Sequence, residues 1–106
     1  MMAKEYIEQR DGGYWVAGSR VSLESIVLSF LRGAAPETIA QSFPVLRLEE
    51  VYGAITYYLA HCQELDSYLR AVEPQFEALR LEFRRANPTL SRKLAEAGAH
   101  NQLQRP

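Results

Sequence analysis

The residues able to carry chemistry are few in this sequence. Its two histidines are His61 and His100, and its one cysteine is Cys62. His61 and Cys62 are adjacent, so on a helix their side chains point about 100° apart, whereas shared metal ligation or a Cys–His couple needs a spacing of three or four residues. Cys62 falls instead in an apolar stripe, which favours a small core residue.

Carboxylate pairs are the remaining candidates for acid–base catalysis. Glu49 lies beside Glu50, and Glu64 lies close to Asp66. Pairs of this kind are usually solvated surface, and the one glycine pair in the chain is typical of a turn and not of a phosphate-binding loop. We therefore predict a protein that is not an enzyme and that binds no metal and no cofactor.

A second group of side chains is placed to contact nucleic acid. A short helix, a turn over residues 43–46 and a longer helix from Arg47, packed on a preceding helix, form the helix-turn-helix layout. The residues predicted to contact DNA are Arg20, Arg32, Arg47, Thr56 and Tyr57. Residues 34–61 hold one arginine against three glutamates, a net charge of −2. Because phosphate binding depends on Lys and Arg, a helix-turn-helix used only as a scaffold stays open as the alternative.

A third group lies in the C-terminal third and is predicted to bind a partner protein. It comprises Phe76, Leu79, Arg80, Phe83 and Arg84. The apolar members would anchor in a groove, and two arginines four residues apart would face one way and pair with carboxylates. Two alternatives stay open, in which the stripe folds back on its own core or packs on a second subunit.

Composition and charge limit the classes of protein to which this chain can belong. The chain has 106 residues, of which 47% are hydrophobic and 24% charged, as expected of one globular domain. Residues 1–79 carry six Lys/Arg against eleven Asp/Glu, a net charge of −5, and residues 80–106 carry six against two, or +4. No apolar run is long enough to cross a membrane, and no signal peptide is expected. A single cysteine is consistent with the cytoplasm.

The elements that would position these groups begin with a hairpin. Residues 6–9 and 14–16 have strand character, and Asp11-Gly12-Gly13 between them is a turn signal. An isolated two-stranded hairpin is marginal in water. The hairpin must therefore lie on the helices or pair with another chain.

Helical patterns follow the hairpin. The first helix is predicted over residues 22–32, with Ser22 as its N-cap and Gly33 in a left-handed position at its end. The second is predicted over residues 36–42, because Pro36 suits a first helical position and the residue before Pro44 is pushed out of the α region.

The third helix is predicted from Arg47 onward by a long apolar stripe. Its members are Leu48, Val51, Tyr52, Ile55, Leu59, Cys62, Leu65, Leu69 and Val72. Pro74 predicts a kink or a break, after which the stripe continues to Phe83 in the same phase. A short helix over residues 90–97 and a frayed segment over residues 98–106 complete the prediction. The fold class is mainly α: a helix-turn-helix domain over residues 1–70 and a helical extension over residues 71–106.

Several stretches together resemble one prokaryotic family, domain-of-unknown-function family four-three-three, whose members are often described as VapB-type antitoxins. The stretches are AGSRVSL at 17–23, LRGAAPETI at 31–39, FPVLRLEEV at 43–51, AITYYL at 54–59 and ELD at 64–66. The resemblance covers about residues 6–70. Ser19 and Ser22 depart from its usual Thr and Pro, and residues 12–16 lack its usual basic residue and proline.

The resemblance implies a homeodomain-like three-helix bundle, a homodimer and a PIN-like ribonuclease toxin as partner. It also implies that residues 36–61 bind operator DNA and that the helix beyond Leu69 blocks the toxin, which makes the third group above the toxin-binding residues. Two functions stay open: an antitoxin that also represses its own operon, and a protein-interaction module that has lost DNA binding.

Overall fold

The computed structural model describes residues 5–93 and residue 96, and in it the chain divides between Tyr57 and Tyr58 into two compact units. We call them the N-terminal unit and the C-terminal unit. Both are built mainly from helices, and the only sheet of the described residues is the N-terminal hairpin. The division predicted at residue 70 falls inside a helix of the C-terminal unit.

The predicted hairpin is confirmed. Strands β1 (Ile7–Arg10) and β2 (Gly13–Val16) pair antiparallel with Ile7 opposite Val16. Asp11 and Gly12 form the two-residue turn, and both have the positive φ values that match the twist of the paired strands. Beyond the hairpin, Trp15 forms a single bridge to Ser22, which ties β2 to the start of the first helix.

Helix α1 (Leu23–Leu31) begins and ends as the sequence predicts. The Ser22 side chain accepts a hydrogen bond from the backbone N–H of Ser25. At the other end Gly33 has a φ of 97°, and the N–H groups of Gly33 and Ala34 donate to the carbonyls of Phe30 and Ser29. These are the two bonds of a Schellman motif, which satisfies the last carbonyls of the helix.

The helix-turn-helix segment is also confirmed. Helix α2 (Pro36–Ser42) ends where Phe43 leaves the helical region before Pro44, and helix α3 (Leu48–Ala60) follows the turn. The backbone N–H of Arg47 donates to the Glu50 carboxylate at 2.8 Å. This is half of a capping box, so Glu50 stabilises the start of α3.

The core of the N-terminal unit is formed by apolar residues of the hairpin, of the first three helices and of the turn before α3. Its buried apolar residues are Ile7, Val16, Leu23, Ile26, Val27, Leu28, Leu31, Ile39, Leu46, Val51, Ala54 and Ile55. The hairpin contributes through Ile7 and Val16, which lie opposite each other. The two-stranded ribbon is therefore stabilised by burial against its own helices, one of the two alternatives that the sequence left open.

The continuous third helix that the sequence predicts is wrong in one place. α3 ends at Ala60, and α4 (Cys62–Val72) begins after His61, which has a φ of −122° and whose N–H bonds back to Tyr58, three residues earlier. The stripe continues across this interruption without a change of spacing, so periodicity does not reveal it. Three stripe residues are also exposed: Leu48, Tyr52 and Val72.

Around Pro74 the chain breaks into separate helices and does not merely kink. Glu73 is extended, as the residue before a proline prefers, and α5 (Phe76–Ala86) starts after Gln75. α5 contacts α4. Residues 88–93 are helical again, which confirms part of the helix predicted over 90–97. The remainder of that prediction, at residues 94, 95 and 97, and the frayed segment at 98–106 lie outside the described residues.

Candidate functional site

The start of α3 carries the charged side chains that would meet DNA in a helix-turn-helix protein. Arg47 is exposed, but its guanidinium lies 3.3 Å from the Glu49 carboxylate and 3.6 Å from that of Glu50. The single cation of this face is therefore matched by two anions. A phosphate approaching here meets a carboxylate surface, against which Coulomb repulsion acts.

The next turn of α3 forms one wall of a cleft of about 510 Å³. The cleft is lined by Tyr6, Glu49, Tyr52, Gly53 and Thr56. The Tyr6 hydroxyl donates to Glu49 at 2.9 Å, and a Cβ on Gly53 would overlap Cγ of the Tyr6 ring. Gly53 thus lets the aromatic ring lie directly on the helix backbone.

A second tyrosine of the cleft is tied to α2. The Tyr52 hydroxyl donates to the Glu37 carboxylate at 2.7 Å. This hydrogen bond lowers the pKa of Glu37 and raises the pKa of Tyr52, because it favours the charged carboxylate and the neutral phenol. Both side chains are exposed, so the cleft presents aromatic rings and negative charge to the solvent.

The five residues predicted to contact DNA come from different parts of the N-terminal unit, and only three of them are cations. Arg20 follows the hairpin, Arg32 caps the end of α1 and Arg47 precedes α3. Thr56 is exposed in the cleft, whereas Tyr57 is half-buried with its ring 6.4 Å from that of Tyr14. The sequence did not predict Tyr6 or Tyr52 as site residues, because their positions depend on where the hairpin and α2 meet α3.

The five residues predicted to bind a toxin are mostly inside the C-terminal unit. Phe76, Arg80 and Phe83 are buried, Leu79 is half-buried and Arg84 is exposed. Arg80 and Arg84 line one cleft, so they face one way as expected, but Arg80 is buried and its carboxylate partner is Asp66 of the same chain. Of the alternatives the sequence left open, α5 folds back onto its own unit, where its aromatic side chains form the core.

A buried polar cluster accompanies these aromatics. Asp66 accepts hydrogen bonds from the Tyr58 hydroxyl at 2.7 Å, from the Cys62 thiol at 3.6 Å and from Arg80 Nε at 3.4 Å. Burial and the Asp66 charge raise the pKa values of Tyr58 and Cys62. Cys62 and Asp66 are four residues apart on α4, and this spacing, which the sequence prediction overlooked, places them on one face.

No metal site accompanies the cluster: among the described residues, no three or more His, Cys, Asp or Glu side chains are grouped to hold an ion. Cys62 is a buried core residue, as predicted, and its thiol is engaged with Asp66. None of the helices described here is long and apolar enough to span a membrane.

Residues 7–58 match the model of a family described as "Protein of unknown function (DUF433)". This part of the chain belongs to that family. The DUF433 segment comprises the hairpin, α1, α2 and most of α3, so it ends within one residue of the boundary of the N-terminal unit. α4, α5 and the Glu64–Asp66 stretch lie outside it. Searches among curated proteins and among solved structures found no match.

Proposed function

We propose that this chain is an antitoxin-like protein that acts by binding another protein. In this proposal the N-terminal unit contacts its partner through the cleft beside α3, which we call the α3 cleft, and does not use α3 to read DNA. The observation that carries the proposal is the chemistry of the cleft. Two tyrosine rings and the Glu49 carboxylate lie where a groove-reading helix would present cations. Phosphate contacts depend on such cations.

The charge of the whole N-terminal unit supports the same conclusion. Residues 5–57 hold four arginines and no lysine against seven Asp/Glu, a net charge of −3. Arg10 is further engaged by Glu8 at 3.3 Å and lies 4.8 Å above the Trp15 ring. A surface of this sign attracts basic partners and repels nucleic acid.

The partner that fits the cleft is a basic segment of a protein. A Lys or Arg side chain would place its charge beside Glu49 and over the Tyr6 or Tyr52 ring, which combines an ion pair with a cation–π contact. The resemblance to antitoxins points to a PIN-like ribonuclease encoded beside this chain as the protein that carries the segment. A cytoplasmic location is part of this proposal, since the only cysteine is a buried thiol.

The test is binding to the product of the neighbouring open reading frame, measured by calorimetry and by inhibition of its nuclease activity. Glu49→Lys should weaken the complex about 30-fold, because it reverses the charge that faces the basic segment. Glu82→Lys, which makes the same charge reversal at an exposed residue of α5, is the control and should leave the affinity nearly unchanged. Equal affinities of the parent and of Glu49→Lys would refute the proposal.

Repression of its own operon is the second candidate, and the helix-turn-helix layout of α2 and α3 favours it. Here Arg20, Arg32, Arg47, Thr56 and Tyr57 would contact the DNA. Few cations predict a shallow dependence of log affinity on log salt, with each phosphate contact adding roughly 0.9 to the slope. Fluorescence anisotropy with labelled promoter DNA tests this candidate, and an Arg47→Ala variant that binds as well as the parent would exclude it.

A further inference from the structure

A cleft in the C-terminal unit lies where α5 gives way to the helical residues 88–93. Its volume is about 330 Å³, and its lining consists of Arg80, Arg84, Pro88, Ser91 and Arg92. Three of these five residues are arginines, and none of the lining residues that the structure describes carries a carboxylate or an aromatic ring. The size is that of a small-molecule site.

The residues that line the cleft come from two helical stretches. Arg80 and Arg84 are four residues apart on α5, and Pro88 and Arg92 are four residues apart in the stretch 88–93, so each pair lies on one face of its own stretch. Pro88 lies at the start of the second helical stretch, where a proline is tolerated. Asn87 separates the two stretches, so the cleft lies at their junction and both stretches contribute arginines to it.

Two of the lining residues are buried and have an unused hydrogen-bonding atom. Arg80 and Ser91 are each only 7% exposed, and neither Arg80 Nη1 nor Ser91 Oγ has a partner among the described residues. Asp66 holds the same guanidinium through Nε, at 3.4 Å, and so fixes its position. Buried donors without acceptors are uncommon in folded proteins, and a ligand is one of the explanations they call for.

We propose that this cleft binds the phosphoryl group of a small phosphate monoester. Three guanidinium groups and a hydroxyl offer more donors than the two oxygens of a carboxylate accept, whereas a phosphoryl group presents three oxygens and close to two negative charges. Arg is the side chain suited to such planar, multidentate recognition. None of the described lining residues is aromatic, which favours a phosphorylated sugar over a nucleotide, whose base would stack on a ring.

This inference is independent of partner binding through the α3 cleft. The two sites lie in different units and share no residue. Glu49→Lys should therefore leave phosphate binding unchanged, and variants of the arginine cleft should leave partner binding unchanged. Failure of either proposal is thus distinguishable from failure of the other.

The experiment titrates the full chain with ribose 5-phosphate, inorganic phosphate, ribose and acetate at constant ionic strength, by calorimetry and by thermal unfolding. We expect both phosphates to bind and to raise Tm, since a ligand that binds only the native state stabilises it. Tighter binding of ribose 5-phosphate identifies a monoester site. Equal binding of inorganic phosphate means that free phosphate is the ligand and overturns the sugar, and equal binding of acetate overturns the phosphoryl assignment.

Matched variants distinguish specific phosphate binding in this cleft from nonspecific attraction of anions to positive charge. Arg84→Gln removes an exposed cation from the lining and should lower phosphate affinity about tenfold. Arg85→Gln removes its exposed neighbour, which pairs with Glu82 outside the cleft, and should change affinity by less than about twofold. Equal losses in the two variants, or no heat and no Tm shift with any phosphate, would overturn the proposal.

A third variant tests the buried part of the lining. Ser91→Ala deletes a hydroxyl that has no partner, so the fold should not suffer. Phosphate affinity should fall about threefold while the far-ultraviolet circular dichroism spectrum stays that of the parent. Unchanged affinity would remove Ser91 from the site and with it the argument from unused buried atoms.

Discussion

At the scale of single residues, the most consequential group is Asp66. It lies on α4 and accepts hydrogen bonds from a phenol, a thiol and a guanidinium. Its side chain is 14% exposed and that of Arg80 is 9% exposed. At such burial each charge depends on the other, since an unpaired ion in this environment is strongly unfavourable.

Replacement of Asp66 by Asn should destabilise the protein by about 3 kcal/mol, because it leaves the buried Arg80 charge without its counter-ion. Glu77→Gln is the matched control, because it breaks the ion pair between Arg70 and Glu77, whose side chains are 51% and 66% exposed. This substitution should lower the free energy of unfolding by less than about 1 kcal/mol. Urea unfolding followed by circular dichroism measures both. Similar losses for the two variants would contradict a special role for the buried pair.

Alkaline pH should destabilise the fold through Cys62. Burial, followed by the Asp66 charge, raises the pKa of the native thiol above its ordinary value. Above roughly pH 8.5 the unfolded chain releases the thiol proton while the native state retains it, so stability falls as pH rises, by at most about 1.4 kcal/mol per pH unit. Urea midpoints between pH 7 and 9.5 should show this decline.

Cys62→Ala supplies the control for the alkaline prediction. This variant loses stability at every pH because a buried side chain is shortened. Its stability should nevertheless be flatter across the same pH range than that of the parent. A decline as steep as the parent's would mean that other groups cause it.

At the scale of elements, the start of α3 shows how acidic residues serve local structure. Glu50 caps the first turn through the Arg47 N–H, and Glu49 fixes the Tyr6 hydroxyl. Carboxylates are also favoured at this end of a helix by the helix dipole. The negative charge at the start of α3 therefore has structural reasons of its own.

Gly53→Ala should test the close approach of Tyr6 to α3. Alanine is the better helix former by about 1 kcal/mol, yet its Cβ would overlap the Tyr6 ring. The single variant should therefore be destabilised, whereas in a Tyr6→Ala background the same change should stabilise the protein. A double-mutant cycle by thermal unfolding gives the coupling. Additive effects would mean that the ring does not lie on Gly53.

At the scale of the whole molecule, each unit has its own core and its own cleft. The N-terminal unit is acidic and coincides with the DUF433 segment, while the C-terminal unit carries the arginine cleft. Among the described residues of the N-terminal unit, the large apolar side chains that are exposed lie close together in sequence, at the turn before α3 and on its first turns. They are Val45 at 76% exposure, Leu48 at 43% and Tyr52 at 45%.

We predict a homodimer that buries Val45 and Leu48 and leaves Tyr52 exposed in the α3 cleft. Symmetric dimers are the commonest oligomers, and exposed apolar clusters mark such contacts. Sedimentation equilibrium at micromolar concentration should give twice the chain mass of 12.1 kDa. Val45→Ser with Leu48→Ser should shift the equilibrium to monomer, whereas Leu81→Ser, an exposed residue of α5, should not. A monomeric parent protein would disprove the dimer.

Local patterns in the sequence determined much of the N-terminal unit. Ser22, Gly33, Pro36 and Pro44 each act on their own backbone neighbours, so they set the ends of α1 and α2 without reference to the rest of the chain. The Asp-Gly turn did the same for the hairpin. Apolar spacing identified most of the core, and the motifs identified the family, because both are written in short stretches of chain.

Tertiary structure alone decided which side chains meet across elements. Tyr6 on Gly53, Tyr52 on Glu37 and Arg80 on Asp66 join residues from different elements, and no local preference encodes those distances. The break at His61 leaves the spacing of the apolar residues unchanged, so the periodic pattern does not predict it. The sequence showed an amphipathic α5, but amphipathicity is the same whether the face packs on its own unit or on a partner. Only the tertiary structure shows that the apolar face of α5 packs on its own unit, because burial depends on which residues lie opposite that face.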